Sequence, residues 1–353
     1  MVTVQPPLID PIEVPERREV QLRPRGSLVL AARSGLYTLL ILAVALGAGA
    51  YSLRTYGIFH CQPSEYGSDG YLGYCEATSY GDYDHGAIWF DLEPETYAAA
   101  ADARVLFIGN SRTQFAFSSN ATADWFSSHS ESYYLLGFSH FENYTFEVPL
   151  LRKLRPRAKV YVINIDTFFE RAATEPGRTV MRDESARTRY QEKRKWQRIH
   201  KAICTTFKTV CGDGEAIFRS RPTGAWVVTG NRFTSEPVSY DEKIDQNKLA
   251  SYTTLAKEFL PSLSADRACT ILTIVPTVKT DMGTARAIAA ALGLRLVAPE
   301  VPGLVTFDHY HLDRESAQRW SAVFLEEAGP QIQKCLIERP DSHVSMSNLR
   351  TTN

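Results

Sequence analysis

A serine hydroxyl becomes a useful nucleophile only when a base removes its proton, and an imidazole does this best when an acid orients it. The sequence offers these parts in two stretches. "VLFIGNSRTQFAF" (105–117) presents Ser111 at the end of an apolar run, and "VTFDHYHLDRESAQRWS" (305–321) holds Asp308 and His311 three residues apart. Taken alone, Ser111 could be a helix cap and His311 a core histidine. Together, in the order Ser…Asp…His, they form a workable nucleophile, acid and base in a fold that gathers distant loops at one sheet edge. Asn110, Arg112 and His309 flank these groups and are expected to bind substrate; Arg112 could instead pair structurally with Asp166. Asp308, His309, His311 and Asp313 could also line a metal site, but a run this compact needs a further ligating element that the sequence lacks. No metal and no cofactor are expected.

The elements that must position these residues alternate. A buried strand at 104–108 leads to a helical segment near 115–127, and a strand at 133–136 ends on Gly137 before a helix through 146–154. "AKVYVINID" is a strong buried strand ending at Asp166. "KLASYTTLAKEFLPSL", "CTILTIVPT", "TARAIAAALG" and "LRLVAP" continue the alternation, and a final helix begins at "ESAQRWS". Alternating strands and helices predict an α/β domain with a parallel sheet covered on both faces, over residues 101–335. Residues 54–100, dense in Gly, Tyr, Asp and Ser, are expected to be a spacer and cover rather than core. Residues 170–235 interrupt the rhythm as an insertion. Within it "RTRYQEKRKWQRIHKAI" (187–203) predicts a basic helix, either a solvated face or a surface for anionic headgroups or an acidic glycan.

Lys plus Arg number 39 against 40 Asp plus Glu, so no global charge draws the chain to nucleic acid. Residues 35–53, GLYTLLILAVALGAGAYSL, carry no charge and at ~1.5 Å per residue cross roughly 30 Å of hydrocarbon. Arginines crowd the preceding segment, and after Arg54 no basic residue occurs before Arg104. The positive-inside rule then keeps a disordered tail (1–34) in the cytoplasm and exports the rest, a type II single-pass topology; the rival reading is a cleaved signal peptide, since Ala48-Gly49-Ala50 has the small residues of a cleavage site. All six cysteines lie beyond the span, where disulfides persist; pairing of neighbours gives Cys61–Cys75, Cys204–Cys211 and Cys269–Cys335. Residues 336–353 read as a flexible tail.

The blocks around Ser111, Asp308 and His311 resemble those of the SGNH (GDSL-like) hydrolase superfamily of esterases and acyltransferases. Gly109-Asn110-Ser111 stands where that family has Gly-Asp-Ser, and "DHYH" matches its Asp-x-x-His. The resemblance implies a flavodoxin-like three-layer α/β/α fold. It also implies an oxyanion site built from the backbone N–H groups of Ser111 and Gly137, with the amide of Asn164. The family's Gly-x-Asn-Asp block is incomplete here, Asn164 in "VINIDT" having neither the Gly nor the adjacent Asp. With the N-terminal span, the chain is similar to membrane-anchored bacterial envelope proteins of alginate O-acetylation and D-alanylation. That likeness implies an O-acyltransferase, most simply an acetyltransferase, in the periplasm and held in the inner membrane. Its acyl acceptor would be a cell-envelope glycan or polysaccharide, and a membrane-embedded protein would deliver the acyl group. A carbohydrate acetylesterase, or a non-catalytic glycan-binding or assembly subunit of the same fold, are the alternatives.

Overall fold

The computed structural model describes residues 27–63, 69–77, 79–230 and 234–337. Most of both expected tails (1–26 and 338–353) lies outside the described residues. Two units are distinguished, Met1–Tyr51 and Ser52–Asn353. Helix α1 (Ser27–Thr55) contains Gly35–Thr55, a stretch long and apolar enough to cross a membrane. It suggests an anchor or a signal segment.

The second unit opens with strand β1 (Gly70–Cys75) and helices α2 (Asp84–Trp89) and α3 (Pro94–Asp102). Strand β2 (Val105–Asn110), helices α4 (Ser111–Phe117) and α5 (Asn120–Ser128), and strand β3 (Tyr133–Phe138) follow. Next come α6 (Tyr144–Leu154), β4 (Val160–Asn164), α7 (Glu175–Arg182) and α8 (Ala186–Thr206). Strands β5 (Ala216–Ser220) and β6 (Trp226–Thr229) precede α9 (Gln246–Phe259) and β7 (Thr270–Thr273). Helix α10 (Met282–Leu292), β8 (Arg295–Leu296) and α11 (Arg314–Ile337) complete the unit.

Strands β2, β3, β4, β7 and β8 form a parallel sheet in the order β3-β2-β4-β7-β8. In order of appearance this is 2-1-3-4-5. Strand side chains alternate between faces, and this sheet feeds two cores. Leu106, Ile108, Tyr134, Leu136, Tyr161 and Ile163 pack toward α6, α9 and α10. Val105, Phe107, Tyr133, Leu135, Val160 and Val162 pack toward α4, α5 and α11. Both faces are therefore covered, which is why these strands read as continuous apolar runs. Phe107 is fully buried against the rings of Phe117, Phe126 and Tyr133; truncation to Ala costs about 3–5 kcal/mol.

Two expectations are corrected. Residues 54–100 are not a mere cover. β1 pairs antiparallel with β5, from Gly70↔Ser220 to Cys75↔Ala216, and β5 pairs with β6. With Gly81–Asp82 they make a second, four-stranded sheet, and Tyr71, Leu72 and Cys75 are fully buried in it. The segment read as a spacer and the segment read as an insertion thus build one sheet together. The helix expected over 115–127 is two helices, because Ser119 leaves helical geometry and its Oγ accepts from Thr122 N, capping α5.

The three disulfides are Cys61–Cys75, Cys204–Cys211 and Cys269–Cys335. The last closes 66 residues, tying the start of β7 to the end of α11.

Candidate active site

Strand β2 runs directly into α4 through Gly109 and Asn110. Gly109 has φ +148°, and a Cβ there would stand 2.4 Å from Thr113 Oγ1 and 3.2 Å from Asn164 Cβ. Glycine alone permits so abrupt a turn. Asn110 then caps the helix. Its Oδ1 accepts from Arg112 N at 2.9 Å and its Nδ2 donates to Thr167 Oγ1 at 2.8 Å. Both ends of the amide are engaged by the protein, and Asn110 positions the turn. The turn sets Ser111, 7 % exposed, on the first residue of α4 at the C-terminal edge of the sheet.

His311 Nε2 lies 2.8 Å from Ser111 Oγ, and its Nδ1 lies 2.6 Å from Asp308 Oδ2. The other oxygen, Asp308 Oδ1, accepts from the backbone N–H groups of Tyr310 (3.1 Å) and His311 (2.8 Å). A proton on Nδ1 shared with the carboxylate leaves Nε2 as an acceptor for the serine hydroxyl. The imidazole is walled by Phe115, ring centroids 4.4 Å apart, and stacks on Phe307 at 5.6 Å. Burial raises the affinity of Asp308 for a proton. The hydrogen bond and charge of His311, with the two backbone donors, outweigh burial and hold the carboxyl below its ordinary range. Asp308 is thus kept ionised, the form that orients a histidine.

Ser111, Asp308 and His311 open on a cavity of about 470 Å³. The loop leaving β3 supplies Ser139, His140 and Phe141 to its wall, and the second sheet supplies Tyr74, Ile217 and Trp226. These lining residues were invisible to sequence reasoning, because they come from the segments read as spacer and insertion or follow a strand without a motif. His140 and Phe141 are left-handed in succession (φ 60° and 54°), a strained arrangement of the kind held at functional sites. Ser139 Oγ is buried there with no hydrogen-bond partner among the described residues. Arg219, fully buried on β5, joins the sheets. It pairs with Asp84 at 2.7 Å and donates to the carbonyls of Leu135 (2.9 Å) and Gly137, just before the loop that enters the cavity.

The other expected site residues are distributed as follows. Gly137 is in register with Gly109, and a Cβ on it would stand 2.6 Å from Asn110 O. Close approach of β2 and β3 requires glycine there, and its carbonyl is held by Gln114 and Arg219. It lies two residues before Ser139 and is not in the cavity wall. Asn164 abuts the Gly109 turn; its Oδ1 meets Val275 N at 3.4 Å and its Nδ2 is buried without an acceptor among the described residues. Arg112 is 7 % exposed, ion-paired with Asp166, and set 5.6 Å and 5.4 Å from the rings of Phe141 and Tyr310. Burial pushes its guanidinium down to about 10. The ion pair with Asp166 is the structural alternative for this residue. His309 is also placed differently from expectation. It stands at φ 71° on an exposed turn, outside the cavity wall, with Nδ1 2.6 Å from Glu236 Oε2. Among the described residues only His200, Cys204 and Cys211 cluster at metal-ligand spacing, and those cysteines are disulfide-bonded.

No family model, curated protein or solved structure matches the chain.

Proposed function

We propose that the chain is an extracytoplasmic serine-dependent acyl-ester enzyme, an O-acyltransferase that moves a small acyl group such as acetyl onto a cell-envelope glycan. The observation that carries this is the unbroken Ser111–His311–Asp308 hydrogen-bond chain opening on a partly apolar cavity. The 2-1-3-4-5 strand order supports the three-layer flavodoxin-like reading of the SGNH type, since ligands in such sheets bind where the strand order reverses. Ser111 follows the strand at that reversal.

In the proposed reaction His311 Nε2 takes the Ser111 proton as Oγ adds to the acyl carbonyl. Asp308 stabilises the resulting imidazolium. The backbone N–H of Ser111 and the Asn164 Nδ2 are the candidate oxyanion donors, each worth roughly 3 kcal/mol if aimed at the developing charge. The unpartnered Asn164 amide beside the serine turn favours its inclusion. Collapse gives an acyl-serine and releases the protonated alcohol. A glycan hydroxyl, deprotonated by His311, then attacks the acyl-serine; the bond to Ser111 Oγ breaks, the imidazolium returns its proton to that oxygen, and the glycan leaves as the new ester. Helix α1, read as a retained type II inner-membrane anchor, would hold the domain in the periplasm beside a membrane-embedded acyl-donor protein. A tethered position favours transfer over an esterase.

The test is the lifetime of the acyl-enzyme formed from p-nitrophenyl acetate by the full chain. Faster decay with an envelope oligosaccharide, yielding acetylated sugar, supports transfer. Decay to acetate unaffected by sugar supports the esterase. No acyl-enzyme at all supports the non-catalytic subunit.

A further inference from the structure

Beyond α1, nine large apolar side chains among the described residues are more than a third exposed, and five of them are Tyr56, Trp196, Ile199, Phe207 and Val210. Trp196, Ile199, half-buried Ile203 and Phe207 recur at three- and four-residue spacing, which is one stripe of α8 continued into its C-terminal turn. The Cys204–Cys211 disulfide closes that turn and fixes Phe207 and Val210 beside the stripe. The same helix carries seven basic residues against one acidic, with Lys195 and Arg198 exposed near the stripe. A solvated helix would not line up aromatic and branched apolar groups this way.

The position of this patch in the chain identifies what covers it. The apolar span ends at Thr55, and burial begins at once with Gly57, Ile58 and Phe59. There is no linker. The first residues after the span pack on the end of α8: Arg54 Nη1 donates to Thr209 O at 2.6 Å, and Gly212 N donates to Phe59 O at 2.7 Å. Phe59 also meets His200 of α8, ring centroids 5.8 Å apart. The exposed turn Phe207–Val210 therefore lies next to the point where the chain leaves the span. Tyrosine and tryptophan with flanking Lys and Arg are the side chains that settle at headgroup depth.

We propose that the Trp196–Val210 face is a second membrane contact, lying in the headgroup region of the bilayer that α1 spans and favouring anionic phospholipid. It rests on α1 being a retained span and is independent of the chemistry at Ser111. An acidic glycan would satisfy the cations but would leave the apolar stripe in water. The contact would hold the domain in one orientation on the membrane instead of leaving it to swing from its anchor.

The full chain, reconstituted in vesicles of zwitterionic or anionic phospholipid with or without acyl-chain bromination, tests this through tryptophan emission. Brominated bilayers should quench part of the wild-type emission, and that part should vanish in Trp196→Phe. With Trp196 retained, Phe207→Ser should reduce the quenching, and Lys195→Glu with Arg198→Glu should reduce it on anionic vesicles most. Retained near-ultraviolet circular dichroism shows that each variant is folded. The proposal is overturned if Trp196 is not quenched in either bilayer while the chain resists carbonate extraction. It is equally overturned if the chain is extracted by carbonate, or if an acidic oligosaccharide shifts Trp196 emission where bilayers do not.

Discussion

Arg219→Met tests whether the second sheet is welded to the first through one buried, ion-paired guanidinium. The guanidinium is fully buried, bonded to Asp84 through Nε at 2.9 Å and Nη2 at 2.7 Å, and donates to the Leu135 and Gly137 carbonyls. Removing one partner of a buried pair costs about 3–5 kcal/mol, because the other charge is left uncompensated. The Leu135 and Gly137 carbonyls both keep the Gln114 amide as a donor, at 2.8 and 2.9 Å, so the loss expected at pH 7 stays at about 3–5 kcal/mol. Asp84 then decides the pH dependence. Burial already raises its proton affinity, against the opposing charge of Arg219 and the 2.6 Å hydrogen bond from Tyr71. Without the arginine the carboxyl rises further in the folded state. Between the unfolded carboxylate pKa, about 3.9, and that raised value, the folded variant binds the extra proton, so its stability falls as pH rises. The deficit relative to wild type should therefore be smaller at pH 4.5 than at pH 7 in guanidinium unfolding with disulfides intact. Asp84→Leu in the Arg219→Met background should recover much of the loss. A deficit under about 1 kcal/mol, the ceiling for an exposed pair, or one that does not change with pH, would refute the reasoning.

Asp308→Asn should lower the rate of acyl-enzyme formation by roughly 10³–10⁴, by analogy with a mis-oriented catalytic histidine, with the fold intact; stopped-flow release of nitrophenol reads it. Gly109→Ala should destabilise the domain by about 1–3 kcal/mol and abolish labelling of Ser111, because the new Cβ collides with Thr113; thermal unfolding and mass spectrometry check both. His85 is fully buried between Asp82 and Glu142, each 2.9 Å away. Burial opposes its charge, but those carboxylates outweigh burial and push it up to about 10. Its contribution is complete below the unfolded pKa of about 6.5 and is lost as pH rises toward the folded value. Wild-type stability should then fall between pH 7 and 10, and His85→Gln should flatten that decline; chemical unfolding across the range measures it.

The parallel sheet was legible because its strands are buried on both faces and read as uninterrupted apolar runs, as in Val105–Ile108 and Val160–Ile163. The second sheet was not. β1 carries glycines within GYLGYC, and its partner β5 lies some 140 residues on, a pairing that no local pattern announces. Arg219 and Asp84 look like surface charges in sequence, and only the pairing of β1 with β5 brings them together inside. Of the site, Ser111 and the Asp308–His311 pair were legible because a turn after a strand and a three-residue spacing are local signals. The roles of Asn110, Arg112 and His309 depend on Thr167, Asp166 and Glu236, which sequence proximity does not connect to them.

The central claim is that Ser111 is an activated nucleophile. Intact mass of the full chain in detergent, after exposure to p-nitrophenyl acetate and beside Ser111→Ala, tests it most directly. The account predicts a single acetyl adduct on wild type, mapped to Ser111, and none on a folded Ser111→Ala. Equal labelling and equal nitrophenol release from both proteins would contradict it.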